Sequence, residues 1–355
     1  MKQEIISPSD DGGQAGRARQ FDEVAQALAR ARTVCVCAHV DPDGDALGST
    51  LAVTALVRSM WPDKLVTPLF ANEHASLTPF EYLPGAGDLM YAGAYDATPD
   101  LFVAVDTPNA ERLGAGAQVL ARAGDSCAFD HHVTMVPFAR TSILDDSAAA
   151  AGEIVWDFAR HVGFVPTSDF ATCILTAVIT DTGRFQYQNT DAHALETAAA
   201  MVRAGASPSK IAERVYQSDS IQAMHLKALA MQRLTIDETG TVAYSYVTER
   251  DLAQVGAKPA DCESLIDVVR CVGTVRACVF LREKSDGVVR CNLRAKVDGL
   301  NVSRVAEAFG GGGHVAAAGL TYVGSMRDAT RDVVAALATA ALALDGTRGA
   351  ADGQA

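Results

Sequence analysis

Apolar positions fall into two regimes along this chain. Up to about residue 235, short continuous apolar runs alternate with stretches of helical spacing; from about 238, strand-like runs follow one another closely. In the first regime QFDEVAQALARA (20–31) sets Phe21, Val24 and Leu28 at helical spacing, with Asp22 and Glu23 where a helix N-terminus favours negative charge. TVCVCAHV then reads as a buried strand, and Leu47, Leu51 and Ala55 share one face of a helix running to about Met60. PDLFVAVDT (99–107) and DSCAFDHH (125–132) repeat the apolar strand. DSAAAAGEIVWDFARHVG (146–163) reads as a helix opened by an Asp or Ser cap, with Ile154, Val155, Phe158 and Val162 inward. SDFATCILTAVITDTG is apolar nearly all round, which predicts a buried helix ending at Asp181 before Gly183.

Residues 191–235 are helical in pattern with a break at Gly205–Pro208. In the second regime GTVAYSYVT, TVRACVFLREK and DGVVRCNLRAK read as strands, with Asp286-Gly287 as a hairpin turn. NVSRVAEAF is a short helix that runs into Gly310, Gly311, Gly312, Gly313 and His314, and 326–344 is an Ala-rich helix. The pattern predicts an α/β protein of two domains: 20–205 with a mainly parallel sheet, a helical linker over 206–239, and a smaller C-terminal α/β domain over 240–345. Residues 1–19 and 346–355 are expected to be disordered.

Composition narrows the class. A hydrophobic fraction of 49% with 21% charged residues describes a packed globular chain, and no apolar run reaches membrane-spanning length. The first residues lack the apolar core of a signal peptide, so a cytoplasmic protein is expected. Eight cysteines include no CxxC pair, and most lie in apolar stretches such as FATCILTAVI; they are expected to pack as small hydrophobes. A net charge of -13 argues against a long nucleic-acid track but leaves room for a small phosphorylated ligand held by a few local cations.

The chemistry appears where apolar runs stop. His39, Asp41, Asp43 and Asp45 crowd the end of one strand and repel one another unless a cation sits among them. Asp106 ends a second strand, and Asp130, His131 and His132 a third. In an open parallel sheet, ligands gather beyond the carboxyl ends of the strands, so three strands deliver acids or imidazoles to one edge. Asp181 lies at the exit of the buried helix. His39, Asp43, Asp45, Asp106, His131 and Asp181 are therefore candidates for a two-metal centre of the kind that attacks phosphorus. An oxygen-rich set with imidazole and no thiolate suits Mn²⁺, Mg²⁺ or Fe²⁺. Each member alone has an ordinary role open to it: solvated loop acid, turn former or helix cap.

Taken together, His39-x-x-Pro42-Asp43-Gly44-Asp45-x-x-Gly48-Ser49, Val105-Asp106-Thr107, Asp130-His131-His132 and Thr180-Asp181-Thr182-Gly183 resemble the four ordered motifs of the DHH phosphoesterase superfamily. GGGGHVAAAG, with NLRAK before it, resembles the DHHA1 domain. Within the superfamily the likeness is to the bacterial nano-RNase type, bifunctional oligoribonucleases and pAp phosphatases. The resemblance implies an N-terminal DHH domain, a C-terminal DHHA1 domain and two divalent ions, Mn²⁺ foremost. His39 and Asp43 would hold one ion, Asp45 and His131 the other, with Asp106 bridging and Asp181 completing the site. His132 would serve the scissile phosphate as hydrogen-bond donor or acid, and Asp130 would orient the histidines. Asp41, where related motifs often carry Asn, receives no ligand role.

The glycine run allows close backbone approach to a phosphate or base, with His314 as a further donor; a flexible turn is the plain alternative. Arg294 would pair with a phosphate or stack on a base, or else be a solvated strand charge. The resulting expectation is a phosphodiesterase on short oligoribonucleotides and linear dinucleotides such as pApA, with cyclic di-AMP as a candidate substrate and 3'-phosphatase action on pAp. Substrate would sit between the domains, long nucleic acid and membranes are not expected partners, and a homodimer is implied by resemblance alone. Two other readings stay open. A manganese-dependent inorganic pyrophosphatase shares the N-terminal motifs but not the glycine run or NLRAK. A non-catalytic nucleotide-binding regulator would be expected to lose ligands, and none of the six is missing.

Overall fold

The computed structural model describes residues 14–133, 135–285, 287–313 and 315–351. The chain divides into two units between Ser218 and Asp219. The first contains α1 (Gln14–Arg30), β1 (Thr33–Cys37), α2 (Gly44–Met60), β2 (Leu65–Phe70), β3 (Met90–Tyr91), β4 (Leu101–Val105), α3 (Gly116–Arg122), β5 (Asp125–Asp130), β6 (Thr141–Leu144), α4 (Ala151–His161), α5 (Ser168–Asp181), α6 (Ala192–Arg203) and α7 (Pro208–Tyr216). Its sheet is parallel throughout, in the order β3-β2-β1-β4-β5-β6.

Alternation along the central strands fills both sides of this sheet. Val34, Val36, Val103, Val105, Cys127 and Phe129 face the large core under α1, α2, α4 and α5. Cys35, Cys37, Phe102, Ala104 and Ala128 face a smaller core with Leu113 and Val119. Strands buried on both faces read as continuous apolar runs, which is why the sequence pattern identified them. All eight cysteines are free and seven are buried, Cys271 being the exposed one.

Between β1 and β4 the order of the sheet reverses: β2 and β3 add on one side, β4 to β6 on the other. A crevice opens at such a reversal beyond the strand ends. Its floor is tight. A Cβ on Gly48 of α2 would lie 2.5 Å from the Cys173 carbonyl oxygen of α5, and one on Gly152 of α4 would lie 2.7 Å from Ala177 Cβ. Only glycine lets these three helices meet so closely.

The second unit comprises α8 (Ile221–Gln232), β7 (Thr235–Ile236), β8 (Val242–Val247), α9 (Glu249–Val255), α10 (Leu265–Arg270), β9 (Ala277–Ser285), β10 (Val288–Ala295), α11 (Val302–Glu307), β11 (Gly312–Gly313), β12 (Ala317–Val323) and α12 (Met326–Ala351). Its sheet runs β11-β12-β10-β9-β8-β7 and is mixed: β8 and β9 are parallel, the other pairs antiparallel. Val289, Cys291, Leu293 and Ala295 of β10 pack on one face with Val302 and Val305 of α11 and Val333 and Leu337 of α12. Cys278 and Phe280 of β9 pack on the other with Leu226 and Ala230 of α8 and Leu265 and Ile266 of α10.

Several boundaries differ from the sequence reading. The stretch 206–239 is not a free-standing linker: Ile211 of α7 is buried in the first core, and Leu226 and Ala230 of α8 in the second. Helix α1 begins at Gln14, inside the segment expected to be disordered; residues 1–13 lie outside the described residues. Helix α12 continues to Ala351, through most of the expected tail, where no proline interrupts it. Helix α4 starts at Ala151 with Ala150 as its uncapped N-cap, so neither Asp146 nor Ser147 caps it. The backbone over 148–152 is engaged with His131, Glu153 and Asp45 instead. Among the described residues no helix is long and apolar enough to cross a membrane.

Candidate metal centre

Strand and helix ends assemble the site. His39 follows β1, Asp43 is the N-cap of α2 and Asp45 lies in its first turn. Asp106 follows β4, Asp130 ends β5 with His131 and His132 behind it, and Asp181 is the last residue of α5. Asp43 Oδ1 accepts from the amides of Asp45 and Ala46, both at 3.1 Å, satisfying two of the helix's unpaired N–H groups. Asp106 adopts a left-handed backbone with φ 48°. A residue with a Cβ holds such a conformation only when its surroundings over-determine it, and strain of this kind clusters at functional sites.

Two imidazoles are oriented in the same way. His39 Nδ1 donates to the Val40 carbonyl at 2.7 Å and its Nε2 lies 3.3 Å from Asp106 Oδ2. His131 Nδ1 donates to the Ala148 carbonyl at 3.2 Å, and its Nε2 lies 3.3 Å from Asp181 Oδ2, 3.5 Å from Asp106 Oδ1 and 3.6 Å from Asp45 Oδ2. A carbonyl only accepts, so each Nδ1 carries the proton and each Nε2 faces the carboxylates. Metal-binding histidines are held in this manner. His132 differs: its Nδ1 donates to Asp130 Oδ1 at 2.8 Å, and that nitrogen lies 3.6 Å from Asp106 Oδ1.

Asp45 is anchored by main chain. Its Oδ2 accepts from Ala151 N at 2.6 Å, and its Oδ1 accepts from Gly152 N at 3.0 Å and Ser49 Oγ at 2.8 Å. Asp106 Oδ1 is buried and without a hydrogen-bond partner among the described residues. Ligand atoms of His39, Asp43 and Asp106 lie within 4.8 Å of one another, as do those of Asp45, His131 and Asp181, and those of Asp106, His131 and His132. These His and Asp clusters fit divalent metal ions: oxygen and imidazole donors converge, and the buried Asp106 Oδ1 is left without a well-formed hydrogen bond.

The electrostatics are those of closely crowded acids and imidazoles. Burial and the Asp106 charge push Asp45 up to about 7, and burial together with the Asp45 charge raises Asp181 well above the usual carboxylate range. Burial would lower His39, but the hydrogen bond and charge of Asp106 outweigh it and carry the imidazole up to about 9. His131 is raised well above its ordinary value against the same penalty, by Asp106, Asp181 and Asp45. Asp106 moves well down despite burial, held by His131 and His39.

Asp41 stands apart. It is exposed, has φ 52°, and exchanges two hydrogen bonds with Asn72: Asp41 N to Asn72 Oδ1 and Asn72 Nδ2 to Asp41 Oδ1, both 2.9 Å. It braces the loop between His39 and Asp43.

The residues anticipated in the second unit lie on its mixed sheet. Arg294 is half-buried on β10, opposite Cys278 of β9, with its Nε buried and without a hydrogen-bond partner among the described residues. Gly312 and Gly313 form β11, pairing with Gly319 and Ala318 of β12, and Gly311 precedes them. His314 lies outside the described residues, as does Asp286 of the expected hairpin turn; Gly287 beside it has φ 75°. Pattern reading passed over Arg290, which shares the face of Arg294 two alternations away. A Cβ on Gly319 would lie 2.5 Å from Arg290 Nη2, so this guanidinium sits against a glycine of the neighbouring strand. Arg184, directly after the Thr180-Asp181-Thr182-Gly183 motif, is exposed, with its guanidinium 4.6 Å from the Tyr216 ring centroid. Asn301 caps α11, accepting from Arg304 N at 3.2 Å.

A parallel sheet with acids and imidazoles at its strand ends, followed by a second unit bearing arginines and a glycine run, is the arrangement of a phosphoesterase whose His and Asp clusters fit divalent metal ions. Residues 33–178 match the DHH family, N-terminal domain, and residues 239–340 match the DHHA1 domain. The chain belongs to the DHH/DHHA1 family. It is similar to two proteins named bifunctional oligoribonuclease and PAP phosphatase NrnA. That of Thermus thermophilus is 29% identical over 82% of this chain and 84% of its own, and that of Bacillus subtilis is 25% identical over 84% and 91%. An exopolyphosphatase-related protein from Bacteroides fragilis shares the fold, with a TM-score of 0.85 at 24% identity over 92% of this chain and 98% of its own.

Proposed function

We propose that this phosphoesterase hydrolyses short oligoribonucleotides and linear dinucleotides of the pApA type, and removes the 3'-phosphate of pAp, using two divalent ions, Mn²⁺ foremost. The observation that carries the two-ion reading is the pair of imidazoles, His39 and His131, each fixed through Nδ1 by a main-chain carbonyl and turned through Nε2 onto Asp106. The substrate class follows the similarity to the oligoribonuclease and PAP phosphatase relatives, which extends across both units.

His39, Asp43 and Asp106 would hold one ion, and Asp45, His131 and Asp181 the other, with Asp106 shared. When bound, the ions supply Lewis acidity at the phosphoryl oxygens and acidify a water. Asp45, pinned by two amides and a hydroxyl, keeps its place as charge moves. His132, held through Nδ1 by Asp130, would present Nε2 to the leaving oxygen and protonate it. Arg294 and the amides of Gly311, Gly312 and Gly313, with His314, would bind the phosphate or base remote from the scissile bond. The acidic chain has few clustered cations beyond these, which favours ligands a few nucleotides long over a polymer.

The test is Mn²⁺-dependent turnover of pApA, pAp, cyclic di-AMP and pyrophosphate side by side, with Asp106→Ala as control. Turnover of pApA and pAp is expected, and the variant is expected to fall by about 1,000-fold or more, the loss of several kcal/mol of charge stabilisation. Pyrophosphate as the sole good substrate would overturn the proposal, and so would tight pApA binding without hydrolysis.

A further inference from the structure

Outside the candidate ligands, the turn before α4 combines more of the site's supports than any other segment. The Ala148 carbonyl accepts from His131 Nδ1, and the amides of Ala151 and Gly152 donate to the two oxygens of Asp45. Between them, the Ala149 peptide groups are gripped from both sides. Ala149 N donates to Glu153 Oε2 at 2.8 Å. The Ala149 carbonyl accepts from Asn189 Nδ2 at 3.1 Å, and the same amide donates to the carbonyl of Asp181, also at 3.1 Å. Two candidate ligands thus lean on this turn and a third is tied to it.

Glu153 is an unusual residue to find there. It is 1% exposed, its Oε1 has no hydrogen-bond partner among the described residues, and burial pushes its carboxyl up to about 7. A buried carboxyl with one oxygen unsatisfied costs on the order of 1–3 kcal/mol, so stability alone is a poor reason for it. Its one strong contact reaches back from the first turn of α4 to the residue before the N-cap. That contact fixes where Ala148 and Ala151 point.

We propose that Glu153 and Asn189 are positioning residues of the metal centre, clamping Ala149 so that the 148–152 backbone orients His131 and Asp45. This rests on reading His131 and Asp45 as metal ligands. Neither clamp residue touches the ions or the substrate; each acts through the turn.

The clamp is tested in the full chain with E153A, E153Q and N189A. Mn²⁺ affinity is measured by calorimetry, and the His131 Nδ1–H resonance and tautomer by NMR on metal-free protein. E153A is expected to weaken Mn²⁺ binding about 10- to 100-fold, the range for lost support of a ligand, and to broaden or shift the His131 signal. E153Q keeps an acceptor oxygen and is expected to stay within about 3-fold of wild type on that account. N189A, at an exposed position, is expected to fold and to weaken binding in the same direction. A residue that only capped α4 would lower the melting temperature and leave both readouts unmoved. The proposal is overturned if folded E153A keeps wild-type Mn²⁺ affinity and an unchanged His131 signal, or if E153Q loses as much as E153A. Should E153A not fold, N189A with wild-type values on both readouts overturns it. Wild-type protein that binds no Mn²⁺ would instead sink the metal reading, while the metal-free NMR comparison still decides the clamp.

Discussion

The two units carry their charged residues in opposite ways. In the first, Asp45, Asp106, Asp130 and His131 are buried at the ends of strands and helices, and most of their polar atoms are taken by main-chain or side-chain partners. In the second, Arg290, Asn292 and Arg294 are half-buried along one face of an ordinary antiparallel strand whose other face packs the core. A buried, cross-braced acid cluster has geometry that single substitutions damage steeply. Charges spread on a regular strand contribute separately and give graded effects.

The steepest test of that contrast after Asp106 is His132→Ala. On the proposed reading of His132 as a proton donor held by Asp130, its loss is expected to lower kcat by about 100- to 10,000-fold while Mn²⁺ stoichiometry is retained. Because Asp106, His131 and His132 also form a group able to hold metal, loss of an ion from H132A would move His132 from acid to ligand. On the arginine face a smaller and different response is expected. Arg294→Ala should raise KM about 10- to 100-fold with kcat little changed, the signature of binding shared by ground and transition states. A collapse of kcat would show that the second unit is as tightly coupled to chemistry as the first.

The mildest effect concerns stability. Arg233 grips Asp251 with both terminal nitrogens, Nη2 at 2.8 Å from Oδ1, and Asp251 also accepts from Thr248 N at 2.8 Å. The Arg233 hydrogen bonds hold this carboxyl well below the usual carboxylate range. A depressed folded-state pKa contributes stability above the unfolded value of about 4, lost as pH falls through the folded value. Asp251→Asn is therefore expected to cost about 2 kcal/mol at pH 7. Urea titrations should show the gap between variant and wild type narrowing as pH drops below about 4.

Much of this was legible before any coordinates. The six candidate ligands came from residues that punctuate apolar runs, because a buried strand or helix announces its own end, whereas the carbonyls of Val40 and Ala148 that orient His39 and His131 were not anticipated. The α4 turn was not legible. It works through the amides and carbonyls of an alanine run, and side-chain chemistry offers no sign of a main-chain function; the lone hint is Glu153, an acid where the helix pattern turns inward. Asn72 was equally silent, since its partner Asp41 lies on another loop and only the fold brings them together. The helices expected over 206–239 are there as α7 and α8, but which core each joins was not legible. Helical spacing in 206–239 shows that faces are buried, but not in which core.

The glycine contacts under the site have a mechanical consequence. With α2 set backbone to backbone on α5 at Gly48, and α4 pressed on α5 at Gly152, the carboxylates riding on these helices cannot drift apart to relieve their repulsion. Negative charge here is therefore a fixed quantity of the scaffold, and what varies is the positive charge that balances it. Under the proposed function, each step that adds phosphate oxygens to the crevice is matched by protons or ions arriving from solution, rather than by the floor giving way.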